Sequence, residues 1–405
     1  EGFGAAAVLD VLLALPVLPL EAPVRAAVHQ AALQQAIVQM DVLAPRAAVH
    51  MLVATAHADA DPSSLFFRKL AKRLDALVPS LSVDHTATTL EAVSRLSAPP
   101  SPGLVRALSR RAMELVGDAD GRLCASVLRA LAQLGLRDEG MLFLEGVRRH
   151  ADAVFSPREP LPPHVYPTFI EACALLNVVP HAAVTEGLTA CALGRVRECA
   201  PVQIAGTLYA HSKLGVQPDV QLAVALIDRA REITHGFSGG EAALLFTGLA
   251  KLSPVLVPHT LLPALVARME AGADAMLPNE LSTGLAGLVT IGFEPSACTL
   301  RALAERVREL IDARAPGGPV PDPRCVAAVL WAYASFGLKV EAPLMQAFTR
   351  HSLATFRDFQ PEDIERLLWS LFTLGVTPAQ ELLQALTGQI ERHRALFTRR
   401  QAANT

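Results

Sequence analysis

Large apolar, small and helix-stopping residues return along the chain in a fixed order. With the stop as reference, the reference positions are Asp59, Ser97, Gly135, Asn177, Gly215, Ser253, Gly292, Gly337 and Gly375, separated by 38, 38, 42, 38, 38, 39, 45 and 38 residues. Seven residues before each stand Leu52, Leu90, Leu128, Ile170, Leu208, Phe246, Leu285, Leu330 and Leu368, all large and apolar. Five before stand Ala54, Ala92, Ala130, Ala172, Ala210, Gly248, Gly287, Ala332 and Ser370, all small, which predicts that a neighbouring helix packs closely there. Ile364, Leu367, Leu368, Leu371 and Leu374 carry the spacing of an amphipathic helix that ends at the reference residue. Glycine or asparagine there accepts the left-handed conformation that stops a helix.

A second helical segment follows each stop, as in Val220 to Glu232, Ser296 to Ala313 and Pro378 to Phe397. Asp61-Pro62 and Asp322-Pro323 place a capping acceptor before a proline suited to the first turn. No segment sustains the two-residue alternation of a strand. The pattern therefore predicts an all-α solenoid of nine or ten helical hairpins, longer in period than the roughly 34 residues of tetratricopeptide-type repeats. The array is expected over residues 41–397, after a divergent capping repeat at 1–40 and before a polar tail at 398–405. The separation of 45 and the run Ala315-Pro316-Gly317-Gly318-Pro319-Val320-Pro321 predict an extended surface loop.

Composition agrees: of 405 residues, 51% are hydrophobic but only 5% aromatic, which suits alanine- and leucine-rich helix packing. The most apolar stretch, Ala5 to Leu20, contains Asp10 and Pro16 and falls short of the roughly 20 clean residues of a membrane span. A chain starting at Glu1 is expected to have been processed or trimmed. Cys124, Cys173, Cys191, Cys199, Cys298 and Cys325 form no CxxC pair and are expected as reduced thiols, mostly in the core.

The first helices Val329-Leu330-Trp331-Ala332-Tyr333-Ala334-Ser335-Phe336-Gly337, Leu367-Leu368-Trp369-Ser370-Leu371-Phe372-Thr373-Leu374-Gly375 and Thr207-Leu208-Tyr209-Ala210-His211-Ser212-Lys213-Leu214-Gly215 resemble octotricopeptide repeats. That family carries a Leu-Trp-Ala-x-Ala-x-Leu-Gly type signature in its first helix. The resemblance covers roughly residues 40 to 397. The tryptophan column is kept at Trp331 and Trp369, nearly so at Tyr209, and lost at Arg129, Glu171, Thr247 and Ala286. The resemblance implies organellar RNA work of the green-algal kind, on chloroplast or mitochondrial transcripts or as an added protein of the mitochondrial ribosome.

A free-standing RNA binder usually has a strong basic excess, whereas this chain has formal net charge -3. Local basic groups do recur on second helices: Arg68, Lys69, Lys72 and Arg73, then Arg106, Arg110 and Arg111, then Arg148 and Arg149, then Arg229 and Arg231. These eleven are the candidate RNA-binding residues, expected to line one ridge at repeat spacing. The alternative for each is an ordinary solvated position complementing a helix dipole. First helices carry Glu171, Glu241, Glu280, Glu362 and Asp363, so a face built from them would contact RNA sparingly or bind protein.

Catalytic and metal chemistry is not expected. Gly236-Phe237-Ser238-Gly239-Gly240 matches the G-x-S-x-G elbow by letter, but a charged helix precedes it where the elbow needs a strand. His50 with His57, and His181 with Cys191 and Cys199, lack the tight paired spacing of zinc ligands. Trp331 and Trp369 are expected to pack between repeats. No cofactor, small-molecule substrate or membrane partner is expected. The resulting expectation is a mitochondrial-ribosome component that clamps ribosomal RNA and neighbouring proteins. A chloroplast location, a factor for RNA maturation or stability, and a protein scaffold without RNA are the alternatives.

Overall fold

The computed structural model describes residues 5–14, 18–19, 21–56, 64–96, 101–155, 161–252, 256–313 and 321–392. The expected tail at 398–405, almost all of the expected loop, and reference positions Asp59, Ser97 and Ser253 lie outside the described residues. Helices are the only regular secondary structure among the described residues.

The reference positions explain the stops. Asn177 has φ 52°, and Gly135, Gly215, Gly292, Gly337 and Gly375 have φ between 65° and 72°; no other described residue has positive φ. At Gly135 the chain closes a Schellman motif. The Gly135 N–H donates to Ala132 O at 3.1 Å, and the Leu136 N–H donates to Leu131 O at 2.9 Å. Asn177 with Val178, and Gly375 with Val376, repeat both bonds. Helix starts are equally local: Ser82, Asp120, Asp219 and Ser296 accept from backbone N–H groups of the first turn they precede.

The chain divides into two compact units, Glu1–Arg195 and Val196–Thr405. The first pairs α1 (Ala5–Ala14) with α2 (Ala22–Gln39), α3 (Pro45–Ala56) with α4 (Leu65–Leu77), and α5 (Val83–Ser94) with α6 (Pro102–Glu114). It continues with α7 (Gly121–Gln133) and α8 (Arg137–Arg149), the one-turn α9 (Ala151–Val154), then α10 (Val165–Leu176) and α11 (Ala182–Leu193). The second pairs α12 (Pro201–Leu214) with α13 (Val220–Glu232), α14 (Gly239–Leu249) with α15 (Leu261–Ala271), and α16 (Pro278–Ile291) with α17 (Ala297–Asp312). It ends with α18 (Pro323–Ser335) and α19 (Ala342–Thr355), then α20 (Pro361–Thr373) and α21 (Gln380–Arg392).

Each unit is an α-solenoid of hairpins. In the first, α3, α5, α7 and α10 pack in succession, while α2, α4, α6, α8 and α11 form a second row. In the second, α12, α14, α16, α18 and α20 make one row, and α15, α17, α19 and α21 follow one another in the other. The large apolar column from Leu52 to Leu330 is buried throughout. The small column lies where first helices meet. Ala92, Ala130, Ala172, Ala210, Ala332 and Ser370 are buried, and a Cβ on Gly287 would sit 2.9 Å from Phe246 Cβ and from the Thr247 backbone nitrogen.

Cys124, Cys173, Cys199 and Cys325 are buried, Cys191 is half-buried and Cys298 is exposed. Burial pushes the Cys173 thiol up to about 12, so it stays protonated and unreactive. No helix among the described residues is long and apolar enough to cross a membrane.

Candidate nucleic-acid interface

The eleven candidate cations all lie on second helices, but their surroundings sort them into three groups. Arg73, Arg111 and Arg229 stand fourteen residues after Asp59, Ser97 and Gly215, and each turns its guanidinium onto a backbone carbonyl thirty residues earlier. Arg73 donates to Leu43 O at 2.6 and 3.1 Å, Arg111 to Leu81 O at 3.2 and 3.3 Å, and Arg229 to Cys199 O at 3.4 Å. Each acceptor lies in the link that leads into the arginine's own hairpin. The same tie is made by Arg268 to Phe237 O at 2.7 Å, His351 to Pro321 O at 2.8 Å and Gln389 to Arg357 O at 2.9 Å.

Histidine and glutamine make this tie as arginine does, so what this column demands is a hydrogen-bond donor. For Arg73, Arg111 and Arg229 the link carbonyls hold the guanidinium. Arg73→Met should cost about 1 to 3 kcal/mol in urea denaturation, because the part-buried Leu43 carbonyl loses its donor. An unchanged midpoint would mean that water replaces the arginine.

The second group is neutralised by carboxylates. Arg148 makes a two-point contact with Glu145 at 2.6 and 2.7 Å, and Arg149 reaches the same carboxylate at 3.2 Å. Hydrogen bonds from Arg148 hold the Glu145 carboxyl down at about 2. Arg231 pairs with Asp228 at 3.3 Å, and Arg229 also meets Glu232 at 3.0 Å. These i,i+3 and i,i+4 partners leave α8 and α13 locally balanced.

The third group is Arg68, Lys69 and Lys72 on α4 with Arg106 and Arg110 on α6. All five are exposed, and none has a hydrogen-bond or ion-pair partner among the described residues. Arg68 and Lys72 lie one turn apart, Arg106 and Arg110 repeat them 38 residues on, and α4 packs against α6. Counted whole, α4 carries four basic residues against one acidic and α6 three against one. On the other second helices every described arginine is held by a carboxylate or a backbone carbonyl, except Arg392 at the end of α21. Like charges four apart destabilise a helix, so the α4 and α6 stripe is a local concentration of positive potential that the fold itself does not use.

The acidic residues of the first helices also resolve. Glu241 accepts from the Ser238 N–H at 2.8 Å, Glu280 from the Leu277 N–H at 2.8 Å and Asp363 from the Gln360 N–H at 3.2 Å. These three close helix N-termini. The first of these caps lies within the G-x-S-x-G match, which is the turn into α14. Trp331 is half-buried with the Arg366 guanidinium 5.0 Å from its ring centre. Trp369, expected to pack between repeats, is exposed on α20.

No protein-family model matches the chain, and no curated protein matches its sequence. Among solved structures, yeast Rmd9p in complex with a 16-nucleotide target RNA is similar. The likeness is 12% in sequence over 87% of this chain and 81% of that one, with a TM-score of 0.32. That score is too low to carry any property from one chain to the other.

Proposed function

We propose that the protein binds RNA through the α4 and α6 stripe, as a structural component of an algal mitochondrial ribosome. The observation that carries this is the cluster of Arg68, Lys69, Lys72, Arg106 and Arg110, exposed on two adjacent helices and without an ion-pair partner among the described residues. Such a stripe matches phosphate, whose neutralisation releases counter-ions and supplies affinity without reading sequence. The formal net charge of -3 fits a protein that shares phosphate neutralisation with neighbouring ribosomal proteins better than a freely diffusing transcript factor. The organellar setting comes from the octotricopeptide resemblance, with mitochondria ahead of chloroplasts.

Sedimentation of the tagged protein from lysed organelles tests the assignment. Co-migration with a ribosomal subunit, and a shift to light fractions after nuclease, is the expected result. Migration with RNA away from both subunits would move the function to RNA maturation or stability. Light fractions with and without nuclease would leave a protein scaffold.

A further inference from the structure

The cations of the α4 and α6 stripe stand in two rows. Arg68 and Lys72 are about 6 Å apart along the axis of α4, with Lys69 beside them, and Arg106 and Arg110 repeat that spacing on α6. Because α4 packs against α6, the rows lie about 8 to 10 Å apart, the usual distance between touching helices. Asp75 and Glu114 come about one turn after Lys72 and Arg110 and end the rows. The result is a compact basic patch carried by two regular helices.

The neighbours of these cations limit what they can hold. Unpaired bases are usually bound by aromatic rings that stack on them and by polar groups that meet their edges. The first unit has no tryptophan, and its described phenylalanines and tyrosine, Phe66, Phe67, Phe143, Phe155, Tyr166 and Phe169, are all buried. Apart from the cations, the exposed residues of α4 and α6 are Leu65, Asp75, Ala76, Pro102, Gly103 and Glu114. None is aromatic, and none has an amide or hydroxyl side chain. An arginine plane can stack on a base, but Lys69 and Lys72 are point charges that suit phosphate. Exposed rings such as Trp369 and Phe372 belong to the second unit.

Bases already paired in a duplex ask for none of these missing groups. The major groove of A-form RNA is deep and narrow, so it brings the phosphates of the two strands close together while closing the base edges to side chains. B-form DNA holds its strands apart across a major groove about 12 Å wide. Two rows of cations one helix spacing apart match the double line of phosphates along the narrow groove, whereas a single strand offers one line.

We infer that the stripe takes double-stranded RNA, with the α4 row on the phosphates of one strand and the α6 row on those of the other, across the major groove. This rests on the stripe being an RNA site. Affinity then follows the A-form shape and not the base sequence.

The test uses the full chain and three probes: an RNA strand of alternating cytidine and adenosine, which does not fold on itself; the same strand annealed to its RNA complement; and the DNA duplex of that sequence. Fluorescence anisotropy gives the affinity lost when Arg68, Lys69, Lys72, Arg106 and Arg110 all become glutamine, so that binding elsewhere on the chain cancels. The loss should be at least about tenfold larger for the RNA duplex than for the single strand or the DNA duplex. Glutamine in the α4 row alone, or in the α6 row alone, should remove most of that difference, since each row serves one strand. The five side chains are exposed, so circular dichroism and melting should match the parent. Equal losses for RNA duplex and strand, equal losses for the two duplexes, or a difference that survives in either single-row variant would overturn the inference while leaving the stripe as an RNA site. No loss on any probe would overturn the RNA reading of the stripe, and this inference with it.

Discussion

Leucine in place of Gly248 is expected to destabilise the second unit by about 3 kcal/mol, the upper end of what overpacking usually costs. A Cβ at Gly248 would lie 2.6 Å from Leu208 Cβ and 2.7 Å from the Leu208 carbonyl carbon. Backbone cannot rotate away as a side chain does, so α12 and α14 would have to separate along the joint they share. Equilibrium denaturation in urea measures this, with Thr290→Leu, at an exposed position of α16, as a control expected to change little. A Gly248→Leu protein as stable as the parent would contradict the close approach on which the small column rests.

Replacing Arg68, Lys69, Lys72, Arg106 and Arg110 together by glutamine is expected to have the largest effect on binding. Each lost phosphate contact lowers the dependence of log affinity on log salt by about one unit, so the slope should fall by as much as about 5 units. The loss should be similar for RNAs of different sequence, because phosphate contacts carry no base information. Folding should not suffer: these side chains have no partners to lose among the described residues, and removing like-charge neighbours relieves repulsion. Arg73→Met and Arg111→Met make the contrasting pair, expected to alter stability through the Leu43 and Leu81 carbonyls more than the salt slope. An unchanged slope in the five-residue variant would remove the stripe from RNA binding and favour the scaffold.

The architecture was legible because each repeat column answers to one local demand. A left-handed stop needs glycine or asparagine, a close helix crossing needs a small residue, and a hairpin core needs a large apolar one. Those demands act within one or two turns, so they show in the sequence even where the letters vary from Gly135 to Asn177. The status of the cations was only partly legible. Glu145 before Arg148, Asp228 before Arg231 and Glu114 after Arg111 stand at ion-pair spacing in the sequence, and that signal separates paired arginines from Arg68 and Arg106.

The carbonyl ties were harder to see, since Arg73 faces inward only because the link around Leu43 passes beneath it, and nothing near Arg73 encodes that link. His351 and Gln389 in the same register were the available clue: a column that accepts them alongside arginine asks for a hydrogen-bond donor.

Lysine acetylation footprinting tests the central claim most directly, because the chain has five lysines and two of them are in the stripe. Lys69, Lys72, Lys213, Lys251 and Lys339 are all exposed, so all should be labelled in the free protein. With RNA bound, Lys69 and Lys72 are expected to be protected, and labelling to return after nuclease, while Lys213, Lys251 and Lys339 stay unchanged. Equal labelling of Lys69 and Lys72 with and without bound RNA would contradict the account.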